Sequence, residues 1–172
     1  MTDRIRNVTL IGMPSAGKSV VGVLLAKRLG FSFIDTDLVI QEQEGRLLKE
    51  IIAQEGNEGF MEIENRVNKN LKAVNAVIAP GGSVVYYPEA MAHFKEIGLV
   101  VYLKVDFEEI ERRLGNLKDR GVVLKDGMTL KDLYEERVPL YETYADITVD
   151  ETGMDPGDVV DYLRSRLEGR IG

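Results

Sequence analysis

The sequence contains no cysteine among its 172 residues, and His93 is its single histidine. Disulfide bonds and thiolate metal sites are therefore excluded. Because no second type of metal ligand clusters near His93, we interpret it as a surface or half-buried helix residue rather than a metal ligand.

Long apolar runs and an excess of basic residues are also missing. No run approaches the roughly 20 apolar residues that a helix needs to span a bilayer. The first residues, MTDRIRNVTLIG, lack the apolar core and cleavage site of a signal peptide. The formal net charge is −7, without the basic face that nucleic-acid-binding proteins carry. We therefore expect a cytoplasmic protein that binds neither membranes nor nucleic acids.

Short apolar segments alternate with segments of helical spacing along the chain. The region 38–73 is helical and charged, with breaks near Gly45 and Gly56, and the polar region 115–128 is typical of a mobile loop. This alternation indicates an α/β fold with a parallel sheet covered by helices on both faces, in one domain over residues 1–172. Predicted strands cover 8–11, 31–34, 76–79, 99–103 and 147–149, and the other predicted helices cover 19–29, 88–96, 107–114, 129–144 and 156–167.

The segment IGMPSAGKS, residues 11–19, lies between the first predicted strand and the first predicted helix. It matches the pattern G-x-x-x-x-G-K-[ST] at every position. Its glycines let successive backbone N–H groups turn toward an anion, and the helix N-terminus adds positive potential. The lysine can reach the outer phosphates, and the serine hydroxyl can bind Mg²⁺. We predict that ATP or a similar nucleoside triphosphate binds here with Mg²⁺, at Gly12, Ser15, Ala16, Gly17, Lys18, Ser19 and Val20.

Two aspartates, Asp35 and Asp37, follow the second predicted strand. Ligands of open α/β sheets bind beyond the carboxyl ends of the strands, and side chains two residues apart in an extended chain point the same way. We therefore predict that Asp35 helps to hold Mg²⁺ through water and that Asp37 orients or deprotonates an acceptor hydroxyl. The alternative interpretation is that this Asp-Thr-Asp turn caps the next helix.

The motifs GMPSAGKS, FIDTD, EGF, PGGS and ERVPLYETYAD together resemble those of shikimate kinases over nearly the whole chain. The last of them, residues 136–146, is the most specific to that family. The resemblance implies a three-layer αβα P-loop fold with a five-stranded parallel sheet in the order 2-3-1-4-5, a mobile lid at 115–128 and substrate-binding helices within 38–73. It implies ATP-dependent phosphoryl transfer to a hydroxyl of a small anionic metabolite, shikimate or a related hydroxy acid, by a monomeric enzyme.

The resemblance also implies which residues act on the phosphates. Lys18, Asp37 and Arg120 would be catalytic, and Arg120 in the lid would stabilise charge on the transferring phosphoryl group. Ser19 and Asp35 would serve the metal ion. From the residues alone, Arg120 is equally compatible with an ordinary solvated loop.

On the acceptor side, the resemblance implies that Asp37, Gly81, Gly82 and Arg137 contact the substrate, with the planar guanidinium of Arg137 on its carboxylate. Arg113 would lie along the adenine. From the residues alone, Arg137 is also interpretable as a solvated helix residue or as the partner of a nearby glutamate.

Three positions depart from the pattern of that family. Met61 stands where the family has an arginine that binds the substrate carboxylate, Pro80 replaces the first glycine of a glycine run, and Gly121 follows the lid arginine in place of proline. One missing charge-assisted contact is worth about 1.5–3 kcal/mol. These departures leave two further hypotheses open: a paralogous kinase for another acceptor, such as gluconate or a nucleoside monophosphate, and a nucleotide-binding module without catalysis.

Two other features have ordinary structural interpretations. We expect the acidic stretch 42–64 to form the solvated face of helices. We expect Tyr86, Tyr87, Tyr141 and Tyr144 to be packing residues rather than a platform on which bases stack.

Overall fold

A computed structural model describes residues 6–114 and 127–170 of the chain. Each predicted strand and helix is present, and a short 3₁₀ helix at Gly82–Tyr86 is an addition that the sequence pattern did not predict. The strands are β1 (Asn7–Ile11), β2 (Ser32–Asp35), β3 (Ala76–Ala79), β4 (Leu99–Lys104) and β5 (Ile147–Asp150). The helices are α1 (Lys18–Leu29), α2 (Thr36–Glu44), α3 (Leu48–Lys69), α4 (Pro88–Ile97), α5 (Phe107–Leu114), α6 (Leu130–Tyr144) and α7 (Pro156–Leu167).

The five strands form one parallel sheet in the order β2-β3-β1-β4-β5. This confirms the order 2-3-1-4-5 that the resemblance implied. The chain leaves β1 toward one edge of the sheet to form β2, returns through β3, and then crosses β1 to form β4. The topological switch point therefore lies at the carboxyl end of β1, where open α/β sheets bind their ligands.

Helices cover both faces of this sheet. Helix α1 packs against α7, and α4 and α6 both contact β4. Because crossovers toward the two edges of a parallel sheet are right-handed, these two groups of helices lie on opposite faces. Strands β1 and β3 are buried along their whole length; the sequence of β3 is wholly apolar, and that of β1 is apolar except for the buried Asn7 and Thr9.

The charged helical region after β2 forms a small layer of its own. Gly45 ends α2 with a φ of 65°, and α3 is kinked at Gly56, where φ is 74° and ψ is 176°. Both breaks were predicted, although α3 ends at Lys69 rather than near residue 73. A second apolar cluster, separate from the main core, consists of Ile40, Ile51, Phe60, Ile63 and Val67.

Two remaining sequence expectations concern the lid and the membrane. The greater part of the predicted lid, with Arg120 and Gly121, falls in 115–126, outside the described residues. Across residues 6–114 and 127–170, none of the helices has the length and apolar character to cross a membrane.

Candidate active site

The loop between β1 and α1 surrounds an open groove of about 540 Å³. Two of its glycines are required by the backbone, because a Cβ on Gly12 would lie 2.8 Å from the carbonyl oxygen of Leu103, and Gly17 precedes α1 with a φ of 84°. Gly12 and the buried Ala16 shape the loop without lining the groove. The other predicted nucleotide-binding residues line it: Ser15, Gly17, Lys18, Ser19, Val20 and Arg113.

The side chain of Lys18 folds back over this loop. Its Nζ atom donates hydrogen bonds to the carbonyl oxygens of Gly12, at 2.7 Å, and Met13, at 2.9 Å. Burial lowers the pKa of Lys18 to about 8, and the positive charge of Arg137 adds to this, whereas Asp37 opposes it. A bound phosphate would counter both effects by supplying negative charge.

A second pocket, of about 150 Å³, lies beside the groove and shares Pro14, Lys18 and Ser19 with it. We call it the acceptor pocket. It brings together five of the predicted site residues from three separate segments of the chain, namely Asp35, Asp37, Gly81, Gly82 and Arg137. The phosphate loop and the predicted acceptor residues thus open onto one continuous site.

The two aspartates reach the acceptor pocket in a different way from the one predicted. Asp37 is not in extended chain, because α2 begins at Thr36 and Asp35 is its N-cap, with Oδ1 accepting a hydrogen bond from the Asp37 N–H at 2.9 Å. The extended-chain argument was wrong, and the helix-cap alternative describes the local geometry. Both carboxylates nevertheless line the pocket.

The oxygen atoms at this point suit Mg²⁺. The second carboxylate oxygen of Asp35 is not used by the helix cap, and the Ser19 hydroxyl lines the same pocket. Within the described part of the chain, no group of three or more Asp, Glu, His or Cys side chains could enclose a metal ion. Mg²⁺ held here would take its remaining ligands from phosphate and water, as it does in other phosphoryl-transfer sites.

Asp37 has an environment that favours proton transfer near neutral pH. Burial raises the pKa of Asp37 to about 6, and the negative charges of Glu64 and Asp35 contribute, while Lys18 acts in the opposite direction. A carboxylate with such a pKa is a stronger base than ordinary aspartate and is still ionised at pH 7.

Glu64 is a site residue that the sequence analysis missed. The expectation that the acidic stretch 42–64 is solvated was wrong here, because Glu64 is 2% exposed and lines the acceptor pocket. Burial raises its pKa, and its carboxylate accepts a hydrogen bond from the Ser83 hydroxyl. The signal was available: positions 60, 63, 64 and 67 have the i, i+3, i+4, i+7 spacing of a buried helix face, and only position 64 is charged.

Arg137 is 3% exposed, so the alternative of a solvated helix residue is wrong. Its guanidinium lies 5.3 Å from the centroid of the Tyr86 ring, and its Nε donates to the Tyr86 hydroxyl at 3.4 Å. In the described segments, none of the ion pairs includes Arg137. A buried arginine without a carboxylate partner, facing a polar pocket, is suited to bind an anionic group of a ligand.

Arg113 lies at the edge of the groove and braces the phosphate loop. Its Nη1 donates to the carbonyl oxygen of Ser15, at 3.0 Å, and to Glu151, at 3.2 Å, while its Nε donates to Glu109 at 2.9 Å. Ser15 has a φ of 67°, a left-handed conformation that is strained for a residue with a side chain. The contact of Arg113 with adenine stays a prediction.

Two of the three positions that depart from the family pattern have different surroundings. Pro80 lines the acceptor pocket, whereas Met61 is partly buried against the main core. Arg66, the next arginine along α3, forms an ion pair with Glu44 at 3.0 Å on the surface. Arg66 is therefore not a replacement for an arginine at position 61.

Comparison with known proteins identifies relatives over nearly the whole chain. A family model described as shikimate kinase matches residues 14–168. A shikimate kinase of Persephonella marina is 34% identical, over 95% of this chain and 99% of its own, and one of Geobacter metallireducens is 37% identical, over 96% and 94%. Among solved structures, the shikimate kinase of Acinetobacter baumannii in complex with shikimate is similar with a TM-score of 0.84 and 30% identity, over 98% of this chain and 96% of that one.

Proposed function

Because the chain belongs to the shikimate kinase family, we propose that it transfers the γ-phosphoryl group of ATP to a hydroxyl of shikimate with the help of Mg²⁺. The observation that carries this proposal is the continuity of the two cavities. The groove at the phosphate loop and the acceptor pocket share Lys18 and Ser19. A phosphoryl group held by these two residues would face both nucleotide and acceptor.

On the nucleotide side, the chain supplies positioning and charge. The backbone N–H groups of the loop and the N-terminus of α1 favour the phosphates, and Lys18 adds a positive charge at the junction. Ser19 and Asp35 would hold Mg²⁺, which neutralises charge on the phosphates when it is bound. The role of Arg120 as a lid cation is part of the same proposal.

On the acceptor side, the chain supplies a base and an anion site. Asp37 would accept the proton of the attacking hydroxyl, which its raised pKa permits. Arg137, buried behind Gly82 and stacked on Tyr86, would bind the carboxylate of shikimate through its planar fork. Glu64, which lines the same pocket beside Ser83, would accept hydrogen bonds from other hydroxyls of the substrate.

Met61 favours a second candidate function, the phosphorylation of a related hydroxy acid. Without an arginine at this position, the acceptor pocket has Arg137 as its one described cation besides Lys18. A hydroxy acid that binds with a single cation on its carboxylate would then compete with shikimate. This candidate keeps the same nucleotide site and the same base.

One assay tests the proposal and separates these candidates. ADP release from Mg·ATP is measured with shikimate, with gluconate and other small hydroxy acids, and with nucleoside monophosphates. Rapid release with shikimate alone supports the proposal, and release only with another acceptor rejects shikimate as the substrate. ATP binding without turnover of any acceptor rejects the enzyme hypothesis.

Two variants and a matched control locate the chemistry. Asp37→Asn should abolish turnover without weakening ADP binding, and Arg137→Lys should raise the KM for shikimate because lysine keeps the charge and loses the fork. Arg164→Lys on α7, in the exposed last turn of that helix, is the control. It should change neither the turnover rate nor the KM for shikimate.

The proposal includes a monomeric enzyme in the cytoplasm. Light scattering of the purified protein and fractionation of cells that produce it check these two points.

A further inference from the structure

Tyr141 lies on α6, one helical turn beyond Arg137, and its side chain is fully buried. Its hydroxyl donates a hydrogen bond of 2.7 Å to the carbonyl oxygen of Gly82. We call residues 80–83 the acceptor turn, since all four line the acceptor pocket. Tyr141 itself does not line that pocket, so it contacts the turn from behind.

Gly82 is tightly enclosed at the place where the acceptor turn meets the phosphate loop. A Cβ on this glycine would lie 2.9 Å from Nη1 of Arg137, 3.0 Å from Cδ of Pro14 and 3.1 Å from the carbonyl oxygen of Gly12. Nucleotide loop, acceptor turn and anion-binding arginine are thus in mutual contact around one residue. In packing this dense, a shift of Gly82 by a few tenths of an ångström must also move its neighbours.

The hydroxyl of Tyr141 is a donor at a fixed position. The ring stacks on Tyr102 of β4, with ring centroids 5.1 Å apart, and the hydroxyl oxygen lies 4.0 Å from the sulfur of Met13 in the phosphate loop. Burial raises the pKa of Tyr141 to about 12, so the hydroxyl keeps its proton near neutral pH. The ring is held by the sheet and the phosphate loop, and its hydroxyl faces both the acceptor turn and the guanidinium of Arg137, whose positive charge opposes the effect of burial on the pKa of Tyr141.

We propose that Tyr141 is a positioning residue, whose hydrogen bond to Gly82 fixes the acceptor turn against the phosphate loop and so keeps Gly81, Gly82 and Arg137 in place around the acceptor. This inference rests on the proposed acceptor site. It goes beyond the interpretation of Tyr141 as a packing residue, because packing alone requires the ring and not the hydroxyl.

The test uses two tyrosine-to-phenylalanine variants of the full chain. Tyr141→Phe keeps the ring and removes the hydrogen bond to Gly82. Tyr134→Phe is the matched control, since Tyr134 lies on the same helix and its hydroxyl donates to another backbone carbonyl, that of Val105, at 2.9 Å. Tyr134 does not line the acceptor pocket.

In Tyr141→Phe, we expect the KM for shikimate to rise about tenfold, because an acceptor turn that has lost its donor must be ordered when the substrate binds, at the expense of binding free energy. The KM for ATP and the kcat should change less than threefold, because the phosphate loop keeps its own hydrogen bonds. Hydrogen exchange of the Val84 amide, which donates to Gly81 within the turn, should become faster. Tyr134→Phe should lower the melting temperature about as much as Tyr141→Phe does, and it should leave both KM values, the kcat and the Val84 exchange unchanged.

Equal effects of the two variants on the KM for shikimate and on Val84 exchange would overturn the inference, since Tyr141 would then act through stability alone. Failure of the proposed function is distinguished by the wild-type protein, because it concerns turnover and not exchange. If the wild-type chain does not turn over shikimate, exchange at Val84 still decides the positioning role, with unchanged exchange in Tyr141→Phe as the contradicting result.

Discussion

The carboxylates of Asp37 and Glu64 converge on Gly81 from two different helices. A Cβ placed on Gly81 would lie 3.4 Å from Oδ1 of Asp37 and 3.0 Å from Oε2 of Glu64. Two buried carboxylates this close disfavour each other's ionisation, and Glu64 is among the causes of the raised pKa of Asp37. The glycine at position 81 leaves the space between them open to a ligand.

Gly81→Ala should therefore impair acceptor binding without impairing folding. Gly81 has a φ of −60° and a ψ of 156°, which alanine also adopts, so the substitution adds little backbone strain. It occupies the space between the two carboxylates, and we expect the KM for shikimate to rise at least tenfold while the KM for ATP is unchanged. Steady-state kinetics and a thermal melt check this. Gly157→Ala on α7 is the matched control, because its added Cβ would also meet a carboxylate oxygen, that of Asp155 at 3.1 Å, but outside the acceptor pocket. A KM for shikimate equal to that of the wild type would contradict the placement of the acceptor.

The rate should have a bell-shaped dependence on pH. Asp37 must be ionised to accept a proton, and its pKa of about 6 sets the acid limb of kcat/KM for shikimate. Lys18 must be protonated to bind phosphate, and its pKa of about 8 sets the alkaline limb of kcat/KM for ATP. Initial rates from pH 5 to 9.5 check this. An acid limb near 4, the ordinary range of aspartate, would show that burial and Glu64 do not act on Asp37 as described.

Asp37→Asn should make the protein more stable while it abolishes turnover. Because the pKa of Asp37 is higher in the folded state, at about 6, than its ordinary value of 3.8, its ionisation opposes folding. This opposition is absent below about pH 4, grows as the pH rises through 6, and at pH 8 amounts to roughly 2–3 kcal/mol. Urea unfolding of both proteins at pH 4.5 and pH 8 measures it. The advantage of Asp37→Asn should be larger at pH 8, and an advantage that is larger at pH 4.5 would reverse the assigned sign.

Most of the fold could be predicted from the sequence, because its signals are local. Structure is determined within a few residues by the apolar residues of β1 and β3, by the glycines that end α1 and α2, and by the phosphate loop. The order of the strands has no such local signal. It came from the resemblance, since it depends on the handedness of crossovers and on which edge the chain turns to.

The candidate site was harder to predict, because its residues lie at a strand-to-helix junction or depend on contacts between distant segments. The sequence predicts Asp37 in an extended segment after the second strand, although Asp35 caps a helix that begins one residue later. Glu64 is expected in the solvent because of its charge and in spite of its helical spacing, and its hydrogen-bond partner Ser83 is 19 residues away. Contacts between segments distant in sequence, such as that of Tyr141 with Gly82, leave no pattern in a single sequence.

Met61→Arg should tighten the binding of shikimate. An arginine at this position lies one helical turn before Glu64 on α3, so it can approach the buried carboxylate and the acceptor pocket from the same side. It would supply a second charge-assisted contact to the substrate carboxylate, and we expect the KM for shikimate to fall about tenfold or more. Met61→Leu is the control for altered packing against the core and should leave this KM unchanged. If Met61→Arg gives the KM of the wild type while its melting temperature is retained, the pocket orients its acceptor differently, and the acceptor panel then becomes the decisive measurement for this chain.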